Sequence, residues 1–376
     1  MNRFSSLRGA QRCTRIFNVP SRRFKHEDMF QRDPVYIFDD LSPTPSHLLN
    51  ITLADFLPPK YHAPGFQASD LPLSRHAITL PPGHHLVYFP PQVLSRDLLP
   101  DGTDPLQSPG PPYVRRMWAG GSLQFKLSGF YPQNSLVLDG RRAFCIEKIQ
   151  HVTTKGEGEN EKVFVNIARD ISTSDAMELP CANSQTSGAG HGLLELRNLV
   201  FMKEKSAEDA KRDAEMPDRV VKPVYQADVR VPITPTQALL FRFSALTFNA
   251  HGIHLDRQYC REVEGRRNLL VHGPLSVIFM LSVLRGQLVG NEEILRLDYK
   301  NLAPLYADEE MVVCVKEDKN KVLSEYPVSR KFEVWIEGVG GGYAVKGSAI
   351  VRGTMKGEKA PGEADMEIAP KEKMLY

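Results

Sequence analysis

The chain has 376 residues, with 47 Lys plus Arg against 45 Asp plus Glu, and it is 41% hydrophobic and 24% charged. That is a globular composition, and the length exceeds the roughly 250–300 residues at which one core stops growing, so two packed units are expected. The formal net charge of +2 argues against nucleic acid as a partner, because a basic face drives such binding. No apolar run approaches the ~18 residues of a membrane-spanning helix. The cysteines Cys13, Cys145, Cys181, Cys260 and Cys314 are scattered and form no CxxC pair. This points away from a disulfide scaffold or structural zinc and toward a reducing compartment.

Residues 1–26 carry Arg3, Arg8, Arg12, Arg15, Arg22, Arg23 and Lys25, with apolar and hydroxyl residues between them and no acid before Glu27. An Arg-rich, Ser-containing, acid-free start has the composition of a mitochondrial transit peptide, so a matrix location is expected. Removing its seven basic residues turns the net charge from +2 to about −5, so the mature chain is mildly acidic. Proline-rich loops fill most of the stretch up to residue 112, since proline fixes φ and removes a donor. Within it, Val35 to Leu41 reads as a short helix or extended arm, and His84 to Phe89 as a β-like run.

Beyond residue 112, alternating segments at Gly121–Phe130, Ser135–Leu138, Arg142–His151, Lys162–Asp170 and Leu193–Phe201 read as an antiparallel sheet. Together, residues 27–202 form a first unit. Residues 203–219, KEKSAEDAKRDAEMPDR, lack an apolar face and read as a solvated helix or linker between units. In the second unit, 220–355, the run from Pro274 to Leu288 is hydrophobic nearly all round, which predicts a helix buried on several sides. Strands are expected at Leu295–Asn301, Glu310–Val315, Lys331–Ile336 and Tyr343–Gly353, with a hairpin turn at Gly338–Gly342. Residues 356–376 form a polar tail. Strands, one buried helix and more antiparallel strands fit an α+β sheet wrapped round a central helix.

The densest chemistry is Thr247 to Asp256, TFNAHGIHLD, just before the buried helix. His251 and His254 titrate near neutrality and can pass a proton. Asn249 orients a hydroxyl or water but carries no proton, and Asp256 adds a carboxylate. The two histidines lack a third ligand at metal-site spacing, so no metal is expected. His272-Gly273-Pro274 opens the helix, where unpaired N–H groups and the positive dipole end stabilise a carbonyl oxygen that gains charge. Arg115, Arg116 and Trp118 stand beside Gly120-Gly121 in the first unit. Trp118 reads as a strand-entrance aromatic or a tunnel wall, and the two arginines as candidates for the phosphates of a thioester carrier.

The segments FSALTFNAHGIHLDRQYC and LLVHGPL resemble the hydratase motif of MaoC-like hot-dog proteins. They are most similar to mitochondrial type-2 3-hydroxyacyl-thioester dehydratases and mesaconyl-CoA-type hydratases. RRMWAGGSL (115–123) and LLPDGTD (98–104) agree, so the likeness spans about residues 70–350. The resemblance implies a double hot-dog with the motif only in the second unit: a pseudo-dimer within the chain, compatible with a homodimer of chains. It implies a hydro-lyase without cofactor that interconverts (3R)-3-hydroxyacyl and trans-2-enoyl thioesters of acyl carrier protein or coenzyme A in mitochondrial fatty acid synthesis. In the family pattern Asp-x-Asn-Pro-x-His, Asn249 lies on the Asp and His254 on the His. Catalysis is therefore expected from His254, Asn249 and Gly273, with His251, Asp256 and His272 in support. The rival readings are a hot-dog thioesterase and a non-catalytic acyl-binding protein.

Overall fold

The computed structural model describes residues 26–70, 72, 78–126, 135–173, 192–216, 220–319 and 329–353. The basic leader up to residue 25 and the polar tail lie outside the described residues. The strands are β1 (Val35–Asp40), β2 (Arg115–Phe125), β3 (Arg142–Lys155), β4 (Lys162–Thr173), β5 (Leu193–Met202), β6 (Val229–Ile233), β7 (Glu292–Asn301), β8 (Met311–Glu317), β9 (Ser329–Glu337) and β10 (Tyr343–Gly353). They pair antiparallel in one sheet of order β1-β3-β4-β5-β2-β7-β10-β9-β8-β6. The helices are α1 (Pro43–Ala54), α2 (Ala207–Glu215), α3 (Gln237–Leu246), α4 (Arg257–Glu262) and α5 (Gly273–Arg285).

The order has an internal repeat. Each half runs strand, helical segment, then four strands, and the second half of the sheet mirrors the first about the β2–β7 seam. This is a double hot-dog. In the second half α5 is the central helix, with every residue from Leu275 to Leu284 buried. Pro274 suits its start, where a missing N–H leaves no bond unmade. At the corresponding place in the first half stands only the 3-10 turn His84–Val87. The backbone of Gly83 packs directly on Ile278 and Leu281 of α5, so one full helix and one reduced turn share the core.

The seam is short, pairing Gly120–Gln124 with Arg296–Lys300. A side chain at Gly120 (φ 150°) would stand 2.4 Å from the Tyr299 carbonyl oxygen, and one at Gly121 would stand 2.1 Å from that of Leu196. Gly120-Gly121 is therefore what lets β2 lie between β5 and β7. Trp118 sits at the adjoining bulge; its Nε1–H donates to the Tyr299 hydroxyl (2.9 Å), and its carbonyl accepts from Asn301 Nδ2 (2.7 Å). A buried ion pair joins the halves as well, Arg115 on β2 to Glu264 after α4 at 2.8 Å.

Several sequence expectations need correction. His84–Val87 is a buried 3-10 turn, not a β-like run, whereas Val35 to Asp40 is an edge strand, the extended of the two alternatives expected there. The twelve-residue α1 went unforeseen, because Pro43 and Pro45 look like breakers although the first helical turn tolerates them. Around Val137 there is only an isolated bridge to Thr79. In the charged stretch after residue 203, α2 is capped by the Ser206 side chain and buries Ala210. No helix among the described residues is long and apolar enough to cross a membrane.

Phe279 is fully buried at the centre of α5. Phe279→Ala should therefore remove about 3–5 kcal/mol of stability through lost burial and an unfilled cavity, read as a lower urea midpoint with unchanged slope.

Candidate active site

The end of α3 places the motif. Asn249 N–H donates to the Ser244 carbonyl (2.9 Å) and Phe248 N–H to that of Ala245 (3.3 Å). This is a Schellman closure, whose turning residue adopts the left-handed conformation that glycine normally supplies. Here that residue is Phe248 at φ 53°, with its side chain 69% exposed. The chain then bends back through Asn249, whose Oδ1 accepts the His251 N–H (3.0 Å) in an Asx turn. This leaves the amide nitrogen of Asn249 as the side chain's donor.

Three buried imidazoles follow from this turn. His254 Nδ1 lies 2.8 Å from the Leu270 carbonyl; a carbonyl only accepts, so Nδ1 carries the proton and Nε2 keeps its lone pair. Its ring stacks on His272 at 3.5 Å between centroids, and His251 meets it edge-on at 5.5 Å. His272 is in turn tied to Ser244 Oγ (2.9 Å). Burial pushes His254 down to about 4, opposed by the Leu270 carbonyl and assisted by Arg116. His251 and His272 are held well below the ordinary value by burial and by the neighbouring imidazoles, with Arg116 adding to the effect on His251. All three are thus neutral near pH 7, and His254 is a base rather than a cation.

A cavity of about 770 Å³ runs between the halves and is lined by Asn249, His251, His254 and Gly273 together with Arg116 and Trp118 of β2. Tyr88, Phe89, Phe241, Phe243 and Phe248 give it aromatic walls. Gly273 stands at the N-terminus of α5, and a side chain there would come within 3.2 Å of Trp118. Absence of that side chain keeps the helix N-terminus open to a ligand.

The structure divides the expected residues. Asn249, His251, His254, Gly273, Arg116 and Trp118 share the cavity, whereas His272 is not among its lining residues and stacks on His254. Asp256 is not a reserve acid: it is exposed and caps α4, accepting from the Gln258 and Tyr259 N–H groups. Arg115 is likewise removed from substrate contact, because it is paired with Glu264 and points away from its neighbour Arg116, which Asp104 holds at 3.1 Å. In the sequence the Asp101-Gly102-Thr103-Asp104 segment stands out only for its family likeness and none of its residues reads as a site residue, although its Asp-Gly pair is the signature of a tight turn. Among the described residues no three His, Cys, Asp or Glu side chains converge as a metal site.

The fold is a double hot-dog with a histidine-bearing cavity between its halves. The crystal structure of a MaoC-like dehydratase from Phytophthora capsici covers 89% of the chain and is itself covered in full, with a TM-score of 0.55 at 12% identity. Residues 83–307 match the family described as hydroxyacyl-thioester dehydratase type 2. Similar proteins include the mesaconyl-C(4)-CoA hydratase of Chloroflexus aurantiacus, 31% identical over 60% of this chain and 71% of that one. The mitochondrial hydroxyacyl-thioester dehydratase type 2 of Schizosaccharomyces pombe is 26% identical over 76% of this chain and 91% of its own. The chain belongs to the type 2 hydroxyacyl-thioester dehydratase family, and it is a hydro-lyase.

Two outcomes follow from these groups. A non-glycine residue in the left-handed region costs about 1–2 kcal/mol, so Phe248→Gly should raise the melting temperature. The second concerns pH. His84 is lowered to about 3 and His85 to about 4, alongside His254 at about 4, while an unfolded His takes a proton near 6.5. Stability should hold above about pH 6.5 and fall toward pH 4, by about 1.4 kcal/mol per pH unit for each such His. Thermal melts across that range measure it.

Proposed function

We propose that His254 is the base of a reversible dehydration of (3R)-3-hydroxyacyl thioesters to trans-2-enoyl thioesters. The observation that carries this reading is the His254 Nδ1–H donated to the Leu270 carbonyl, which leaves a bare Nε2 in the cavity that Gly273 also lines. The thioester carbonyl is placed against the Gly273 N–H, where the helix N-terminus stabilises the enolate-like oxygen as the C2 proton leaves. His254 takes that proton and returns it to the departing 3-hydroxyl, which leaves as water. The Asn249 amide donates to the hydroxyl oxygen and holds it in place. A single neutral base suffices, in keeping with the depressed His254.

The carrier is read as acyl carrier protein or coenzyme A, with Arg116 the remaining candidate for its phosphates. The basic leader and relatives named as mitochondrial support a matrix enzyme working in the direction of fatty acid synthesis. The identity with a mesaconyl-C(4)-CoA hydratase favours a second reading, in which the acyl group bears a carboxylate.

Purified chain with crotonyl-CoA decides between the classes. Loss of enoyl absorbance is expected; free thiol without hydration would mean a thioesterase, and no change a binder. His254→Ala should lower turnover about 10²–10⁴-fold, and full turnover in that variant sinks the assignment. With His254 lowered to about 4, its base form persists above that pH. Turnover per folded molecule should therefore fall as pH drops through about 4, with no inflection near 6.5.

A further inference from the structure

Placing Asn249 where the family pattern has Asp removes a carboxylate from the site. Asn249 Oδ1 accepts the His251 N–H, and an amide, unlike the carboxylate of the family pattern, is not a base near neutral pH. A carboxylate nevertheless stands nearby, on the turn from the first half of the chain. Asp101 is 7% exposed. Its Oδ1 accepts from the Thr103 N–H (2.9 Å) and hydroxyl (2.7 Å). Its Oδ2 is buried without a hydrogen-bond partner and lies 3.5 Å from His251 Nε2.

The turn is fixed against the motif at two further points. Gly252 N–H donates to the Asp101 carbonyl (2.8 Å). Gly102, at φ 85°, lies so close that a side chain would fall 2.1 Å from the Ala250 carbonyl oxygen. The contact is therefore built into the backbone of both segments. A charged acceptor with an empty valence beside an imidazole fixes which ring nitrogen keeps the proton.

We infer that Asp101 is a positioning residue for the dehydration: it holds the proton of His251 on Nε2, so that Nδ1 presents its lone pair to the hydroxyl, or attacking water, at substrate C3. The inference rests on the reading of His254 as base and adds the acceptor which that reading lacks. During dehydration the C2–H bond breaks and its proton passes to His254 Nε2. The C2 electron pair becomes the C2–C3 double bond as C3–O breaks, and the same proton joins the departing hydroxyl to give water. The hydrogen already on that oxygen points at His251 Nδ1 throughout, which turns an oxygen lone pair toward His254. No residue changes its net charge over the cycle. The 3.5 Å spacing shortens to a hydrogen bond when substrate orders the ring, as such contacts tighten in reacting complexes.

The test uses the full chain and crotonyl-CoA hydration. In Asp101→Asn the Oδ1 bonds to Thr103 survive, but the new amide donates to His251 and imposes the opposite tautomer. The expected result is a kcat about 10²-fold lower, KM within about threefold and an unchanged melting temperature. Asp101→Asn should add nothing in a His251→Gln background, and Asp101→Glu should regain much of the loss. A kcat within twofold of the parent in Asp101→Asn, or effects of the two variants that multiply, overturns the proposal. So does a loss that tracks a lowered melting temperature without rescue by Asp101→Glu. His254→Ala is scored separately: turnover in that variant fails the base assignment, whatever Asp101→Asn does.

Discussion

Everything in this molecule depends on how closely β2 approaches β7. Two adjacent residues without side chains allow the strand to pair on both edges at once, which makes two half-sheets into one. Hydrogen bonds from Trp118 and Asn301 and the Arg115–Glu264 pair then lock the seam. The cavity is a product of that junction: its histidines come from the second half, and its facing wall and the Asp101 turn from the first. A single hot-dog unit would have the motif and no opposite wall.

The two halves handle buried polarity differently. In the second, three neutral imidazoles are packed against one another, and desolvation keeps them uncharged. In the first, Arg169 occupies the inward row of β4 between Ile167 and Ile171 and is 2% exposed. It is neutralised by Glu147 (3.1 Å) and Glu195 (3.2 Å) and donates to the Phe89 carbonyl (2.9 Å). Burial opposes ionisation of Glu195, yet Arg197, His85 and Arg169 bring its carboxyl down to about 2. A buried charge costs several kcal/mol unless it is paired in this way, so the first half holds a compensated ion network beside its own buried, neutral His84 and His85.

How much of this was legible in the sequence depended on the range of each interaction. The run from Pro274 to Leu288 declared α5 because it is apolar on all sides, and β7 to β10 followed from alternation and turn residues. His254 and Asn249 stood out as candidates because they lie together in one ten-residue segment. Arg115 and Arg116 could not be sorted: successive strand side chains face opposite ways, so one of the two had to leave the cavity, but the pattern does not say which. Asp256 misled because a carboxylate beside histidines looks chemical, whereas it answers the N–H groups two and three residues ahead. Asp101 was invisible as a site residue because its partner is 150 positions away, joined to it only by the fold.

The seam also sets an order of events during synthesis. The Trp118–Tyr299 and Asn301–Trp118 hydrogen bonds span 181 and 183 residues. While the chain is being made, β2 can pair with β5 long before β7 exists, and its other edge stays open. An unpaired strand edge is a template for unwanted association, and contacts so distant in sequence form slowly. The half-made chain therefore carries an open strand edge until β7 (Glu292–Asn301) emerges, and the cavity's two walls join only with the last quarter of the polypeptide.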